Sequence, residues 1–206
     1  MKTSIILDVD GTLWDSTKRI AESYNQTIQR LGIPDTHVSV EEIHGVMGMV
    51  TEDIAATIFP QYPFEKQMEL ITTCMNEECE YLKDHPGDLY PEVESVLAKL
   101  SEEHDLYIVS NCQDGYIETL FSVYDIQKYI IDYECSGRTG KKKGINIRML
   151  MERNQVENAV YVGDTQKDKE ASIDAHIPFI FASYGFGNVD EYERKIDSFQ
   201  ELLNLV

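Results

Sequence analysis

The sequence predicts an α/β protein with a doubly wound parallel sheet and an all-helical segment inserted after the first strand. Three observations carry that reading. Short apolar runs recur at residues 4–7, 106–109, 129–133, 160–162 and 179–182, and most are separated by helical lengths. Strands covered by helices on both faces read as continuous apolar runs, and crossover helices between them make the sheet parallel. The interval from about residue 16 to residue 85 holds several helical patterns and no convincing strand. Finally, the runs at 4–7 and 160–162 each lead into an aspartate with a glycine nearby, at the strand ends where open α/β sheets bind their ligands.

The elements follow in order. Ser4-Ile5-Ile6-Leu7 is the first strand and stops at Asp8. Ile20, Tyr24, Thr27, Ile28 and Leu31 share one face of a helix that Gly32 and Pro34 end. Asp15-Ser16 stands where that helix needs a cap and is expected to form part of a hinge, with Trp14 packed beside it. Residues 51–59 and 64–82 are further helices, and Pro86-Gly87 and Pro91 punctuate the return. Val93, Val96, Leu97 and Leu100 predict a helix over 92–100, and another opens near Gln113 after the run at 106–109. Ile145, Met149 and Leu150 predict a helix over 145–151, and a last one covers 198–205. The chain thus divides into a core of residues 1–15 and 86–206 and a helical insertion of residues 16–85.

Composition narrows the function. The formal net charge of −19 argues against nucleic acid and anionic membrane surfaces as partners. Any anion site must therefore be built from local cations, backbone N–H groups and metal. No segment approaches the roughly 18 apolar residues that span a bilayer, and the N-terminus lacks a signal-peptide pattern. Cys74, Cys79, Cys112 and Cys135 form no Cys-x-x-Cys pair, so they read as reduced residues of a cytoplasmic protein. The oligomeric state is not encoded in any visible pattern.

The chemistry concentrates at Asp8-Val9-Asp10-Gly11-Thr12. Two carboxylates so close repel unless a cation or shared proton intervenes, and hard oxygen ligands favour Mg²⁺. Ser110-Asn111 ends the second run, where a hydroxyl and the following amides suit either an anion or a helix N-cap. Gly163-Asp164, with Asp168 four residues on, repeats the arrangement on another strand. Gly140-Lys141-Lys142-Lys143-Gly144 supplies cations before a helix.

The Asp-x-Asp-Gly-Thr pattern resembles the signature of the haloacid dehalogenase superfamily, most of whose members are Mg²⁺-dependent phosphatases. The resemblance implies a Rossmann-like core with a helical cap, of the type in the phosphoglycolate phosphatase and β-phosphoglucomutase branches. It makes Asp8 the nucleophile and Asp10 the general acid and base. Gly11, Thr12, Ser110, Asn111 and one lysine then bind the phosphoryl group. Lys143 fits best because a helix follows directly, although Lys141 and Lys142 compete and the family's Lys-Pro pair is absent. Mg²⁺ falls to Asp8, Asp164 and the backbone carbonyl of Asp10, with Asp168 beside it or bound through water. An acid at position 10 argues against a dehalogenase.

The implied function is hydrolysis of a small, phosphoglycolate-like phosphorylated metabolite through an aspartyl-phosphate. The alternatives are a β-phosphoglucomutase-like sugar phosphomutase and a non-catalytic binding protein of the same fold. Substrate selection is expected from the Gly45–Met49 loop (residues 45–49), with His44, Lys18 and Arg19 as polar readers, and Tyr184-Gly185-Phe186-Gly187 at the mouth.

Overall fold

The computed structural model describes residues 3–205. The chain opens with β1 (Ser4–Leu7) and a two-residue strand β2 (Trp14–Asp15), then enters four helices: α1 (Thr17–Arg30), α2 (Val40–Val46), α3 (Thr51–Ile58) and α4 (Phe64–Asp84). It returns through β3 (Asp88–Leu89), which pairs antiparallel with β2. There follow α5 (Val93–Glu103), β4 (Leu106–Ser110), α6 (Tyr116–Val123), β5 (Asp132–Cys135) and α7 (Ser136–Thr139). The last elements are α8 (Lys143–Arg153), β6 (Ala159–Gly163), α9 (Gln166–Asp174), β7 (Phe179–Ala182) and β8 (Lys195–Ile196).

Six strands form one parallel sheet in the order β5-β4-β1-β6-β7-β8. The chain builds outward from β1 to β5 on one side, then crosses over and builds from β6 to β8 on the other. The order therefore reverses between β1 and β6, and the crevice at their carboxyl ends is where a ligand is received in such sheets.

Side chains alternate across each strand, so the apolar runs feed two cores. Ile5, Leu7, Ile108, Val160 and Val162 face a cluster with Val96 and Leu100 of α5 and Leu120 of α6. Ile6, Tyr107, Val109 and Tyr161 face the other way, against Ile147 and Leu150 of α8 and Ala171 of α9. Helices α1–α4 enclose a third core of their own, centred on Tyr24, Ile28, Ile43, Phe59, Leu70 and Ile71. At the crossing, Gly87 packs so close to Asp15 and Ser16 that a Cβ would lie 2.7 Å from the Asp15 carbonyl.

The structure departs from the sequence reading at several places. The strand expected over 129–133 is shifted. Residues Gln127–Tyr129 form a 3₁₀ turn, Ile131 is exposed, and the strand runs over Asp132–Cys135. Two acids sit inside that strand because Arg153 pairs with both Asp132 and Glu134, which hides the strand from an apolar-run reading. The helix expected from Gln113 starts at Tyr116, after Gly115 at φ +90°. The last helix is a 3₁₀ segment, Phe199–Asn204. Ser16 occupies the cap position of α1, but Asp15 does the capping, accepting from Thr17 N at 3.0 Å.

Candidate active site

Asp8 leaves the end of β1 with its amide still bonded to the Val162 carbonyl of β6 at 2.9 Å. That bond fixes it at the switch point. Asp164 follows β6, and Asp168 lies one turn into α9. Asp8, Asp164 and Asp168 are all buried, and each offers an oxygen within 4.8 Å of the others. Gly11 permits the approach. It holds φ +75°, and a Cβ there would sit 2.2 Å from Asp164 Oδ2.

Three buried acids need compensation, and Lys143 supplies it. Its ammonium lies 2.5 Å from Asp168 Oδ1 and 3.0 Å from Asp8 Oδ1, with the side chain almost wholly buried. Burial pulls Lys143 down, but the charges of Asp168 and Asp8 outweigh it and hold the ammonium well above its usual range. Asp168 spends its other oxygen on α9, where it accepts from Thr165 N and Oγ1 at 2.9 and 2.6 Å in a capping box. Both Asp168 oxygens are thus engaged, and the lysine is locked toward Asp8.

Burial, reinforced by the Asp168 charge, pushes Asp8 up to about 7 although Lys143 opposes the shift. Burial together with Asp168 and Asp8 pushes Asp164 up to about 8. Asp164 Oδ2 accepts from the amides of Phe186 and Gly187 at 2.7 and 3.2 Å. Its Oδ1 has no hydrogen-bond partner, and neither does Asp8 Oδ1, which meets Lys143 in a close ion pair without a directed bond. Orphaned buried carboxylate oxygens from two strands, in an all-oxygen cluster, fit a hard divalent cation.

Asp10 is handled differently. Its carboxylate stands outside the trio, and one oxygen accepts from Tyr116 OH at 2.7 Å and from Trp14 Nε1 and Ser16 Oγ at 3.0 Å each. Burial raises Asp10 to about 6, and the Tyr116, Ser16 and Trp14 donors restrain the rise. Two acids of one short motif therefore sit in opposite surroundings, one against a lysine and two acids, the other against neutral donors. Pairs of titratable groups set apart in this way are a hallmark of acid–base sites.

Residues 5–182 match the family model described as haloacid dehalogenase-like hydrolase. The chain belongs to the haloacid dehalogenase-like hydrolase family. Curated proteins named phosphoglycolate phosphatase resemble it across almost its whole length. The one from Vibrio parahaemolyticus is 24% identical over 98% of this chain and 95% of its own. The one from Nitrosococcus oceani is 26% identical over the same shares. Among solved structures, a haloacid dehalogenase-like family hydrolase from Streptococcus pneumoniae superposes with a TM-score of 0.84 at 22% identity, covering 99% of this chain and 98% of its own. A predicted phosphoglycolate phosphatase from Haemophilus somnus gives 0.82 at 19%, covering 99% and 97%. At these identities the structural likenesses establish the fold.

Of the residues singled out in this hydrolase's sequence, the structure gathers most at one place. Lys143 is buried in the acidic cluster while Lys141 and Lys142 are exposed. Ser110 and Asn111 line a cleft beside Asp8 and Asp10. Asn111 also reaches the helical layer, donating from Nδ2 to the Gly48 carbonyl at 3.0 Å. Thr12 is buried with its hydroxyl unpartnered, and its carbonyl accepts from Tyr184 OH at 2.8 Å. Met47, Gly48 and Met49 line the cleft, but Lys18, Arg19 and His44 do not. Arg19 pairs with Glu22, and His44 packs its exposed ring on Phe186. The 184–187 loop does more than border the mouth, since its amides hold Asp164. Sequence reasoning missed Tyr116, Tyr24, Glu78 and Gln113. Tyr116 lies 106 residues from Asp10, and no local pattern announces such a pairing.

Proposed function

We propose that this hydrolase is a Mg²⁺-dependent phosphatase that cleaves a small phosphorylated metabolite through an aspartyl-phosphate at Asp8. The observation that carries the reading is the placement of Asp8. It sits at the switch point against Lys143, one residue from an acid held in separate surroundings. Asp8 attacks phosphorus, forming an O–P bond as the ester P–O bond breaks, and Asp10 gives its proton to the departing alcohol oxygen. Asp10 then takes a proton from the water that attacks the aspartyl-phosphate, which frees inorganic phosphate and restores Asp8. Lys143, held by Asp168, neutralises charge on Asp8 and on the phosphoryl oxygens. Ser110, Asn111 and the amides after Asp10, at Gly11 and Thr12, orient those oxygens. Asp8 and Asp164, with the Asp10 carbonyl, would hold Mg²⁺, which supplies positive charge beside the transferring group. Asp168 serves the site by positioning Lys143.

We read helices α1–α4 (within residues 16–85) as a cap over the core of residues 1–15 and 86–206, with β2, β3 and Gly87 as its hinge. Supporting this are the separate core of the helices and the cleft they share with the strand ends. Phosphoglycolate, the substrate in the relatives' names, is the reference compound for the assay. Phosphate release from an aryl phosphate with Mg²⁺ tests the reading. Asp8→Asn is expected to abolish it with the fold retained, and near-normal turnover in that variant overturns the proposal.

A further inference from the structure

The cleft between the helical layer and the strand ends has an unbalanced charge. Ile43, Val46, Met47, Met49 and Met75 make an apolar wall, and the acids lining the cleft are Asp8, Asp10 and Glu78. Among the described residues, no lysine, arginine or histidine lines it. Lys143 is already held between Asp8 and Asp168.

Glu78 is the unexplained member. It projects from α4, is only 3% exposed, and takes part in no ion pair among the described residues. Gln113 Nε2, from the loop after β4, donates to its Oε1 at 3.0 Å, and the buried Tyr24 of α1 lines the same cleft. Three elements thus converge around one carboxyl group in an apolar cleft. Burying an acid with neutral partners costs stability, so the arrangement calls for a ligand group that uses it. Burial pushes Glu78 up to about 8, a shift that a cationic or hydrogen-bond-donating neighbour would reverse.

We propose that the substrate's alcohol carries a hydrogen-bond donor, a hydroxyl or an ammonium, that meets Glu78, and carries no second negative charge. This rests on the phosphatase reading and sharpens it. A substrate carboxylate in this cleft is stripped of water among apolar side chains, and no free cation pairs with it. A hydroxyl or ammonium donates to Glu78 instead. Glu78 is on this account a specificity residue, built into the helical layer and fixed from the core by Gln113.

The test uses the full chain with Mg²⁺ and three two-carbon esters: phosphoglycolate, 2-hydroxyethyl phosphate and 2-aminoethyl phosphate. Both donor-bearing esters are expected to exceed phosphoglycolate in kcat/KM by at least tenfold. Glu78→Gln is expected to raise the phosphoglycolate to 2-aminoethyl phosphate ratio at least tenfold. Met47→Lys, which places a cation on the cleft wall, is expected to raise it too. Because the readout is a ratio, partial misfolding of a variant does not alter it. Preference for phosphoglycolate in the unaltered protein, or a ratio that neither variant moves, overturns the inference and leaves the phosphatase reading intact. Failure to hydrolyse any of the three esters or an aryl phosphate overturns both.

Discussion

Replacing Tyr116 with Phe isolates the environment that prepares Asp10. The ring contact with Trp14, an edge-on pair at 5.6 Å, survives the change, so the fold is preserved. What is lost is one hydroxyl that donates to Asp10 Oδ1 at 2.7 Å, while Trp14 and Ser16 continue to donate at 3.0 Å. A hydrogen bond to a charged acceptor contributes about 1.5–3 kcal/mol. At about 1.36 kcal/mol per pKa unit, the low end of that range raises Asp10 by about one unit, since two donors remain. The starting value is about 6, so the variant's carboxyl moves to near neutrality. In the proposed attack step Asp10 must be protonated, so kcat/KM falls as pH rises through its pKa. Tyr116→Phe is therefore expected to move the basic limb of the kcat/KM profile toward alkaline pH by about one unit. The profile is read from phosphate release from an aryl phosphate with saturating Mg²⁺. A basic limb that stays in place, or shifts to acid, refutes Asp10 as the proton donor.

Three other outcomes follow from the same geometry. Lys143→Met leaves Asp8 and Asp168 facing each other without a cation, so turnover is expected to fall at least about 10²-fold. The same variant should unfold at lower temperature, with a deficit larger at pH 8 than at pH 5, where Asp8 takes up a proton. Gly11→Ala forces a Cβ into the Asp164 carboxylate, and a strong loss of both Mg²⁺ affinity and activity is expected by titration calorimetry and phosphate release. Asp8 and Asp164 are raised from 3.8 to about 7 and about 8 in the folded state. Between pH 4 and those values the unfolded chain releases protons that the folded chain retains, so metal-free stability falls as pH rises through this window. Mg²⁺ favours the ionised pair, so its thermal stabilisation, measured by melting curves, should be larger at pH 8 than at pH 5.

The sequence displays what is local. The doubly wound sheet could be read because β1, β4, β6 and β7 are buried on both faces and therefore continuously apolar. Asp8 and Asp164 could be picked out because each closes such a run beside a glycine. Lys143 was one of three consecutive lysines, and only the packing of α8 against β5 and α9 separates it from its exposed neighbours. β5 was displaced because its acids are compensated by Arg153, which comes nineteen or more residues later. The two-residue strand β8 is too short to leave a pattern. Glu78, Tyr24, Gln113 and Tyr116 stayed hidden for a common reason. Each acquires its meaning only from a partner in a distant segment, and side chains paired across dozens of residues carry no periodicity.

Acid-quenching the protein during turnover of an aryl phosphate with Mg²⁺, followed by mass analysis of its peptides, tests the nucleophile directly. The account predicts one added phosphoryl group on the peptide containing Asp8, labile to hydroxylamine and absent from Asp8→Asn. Undiminished turnover with no adduct on that peptide, or an adduct on any other residue, contradicts it.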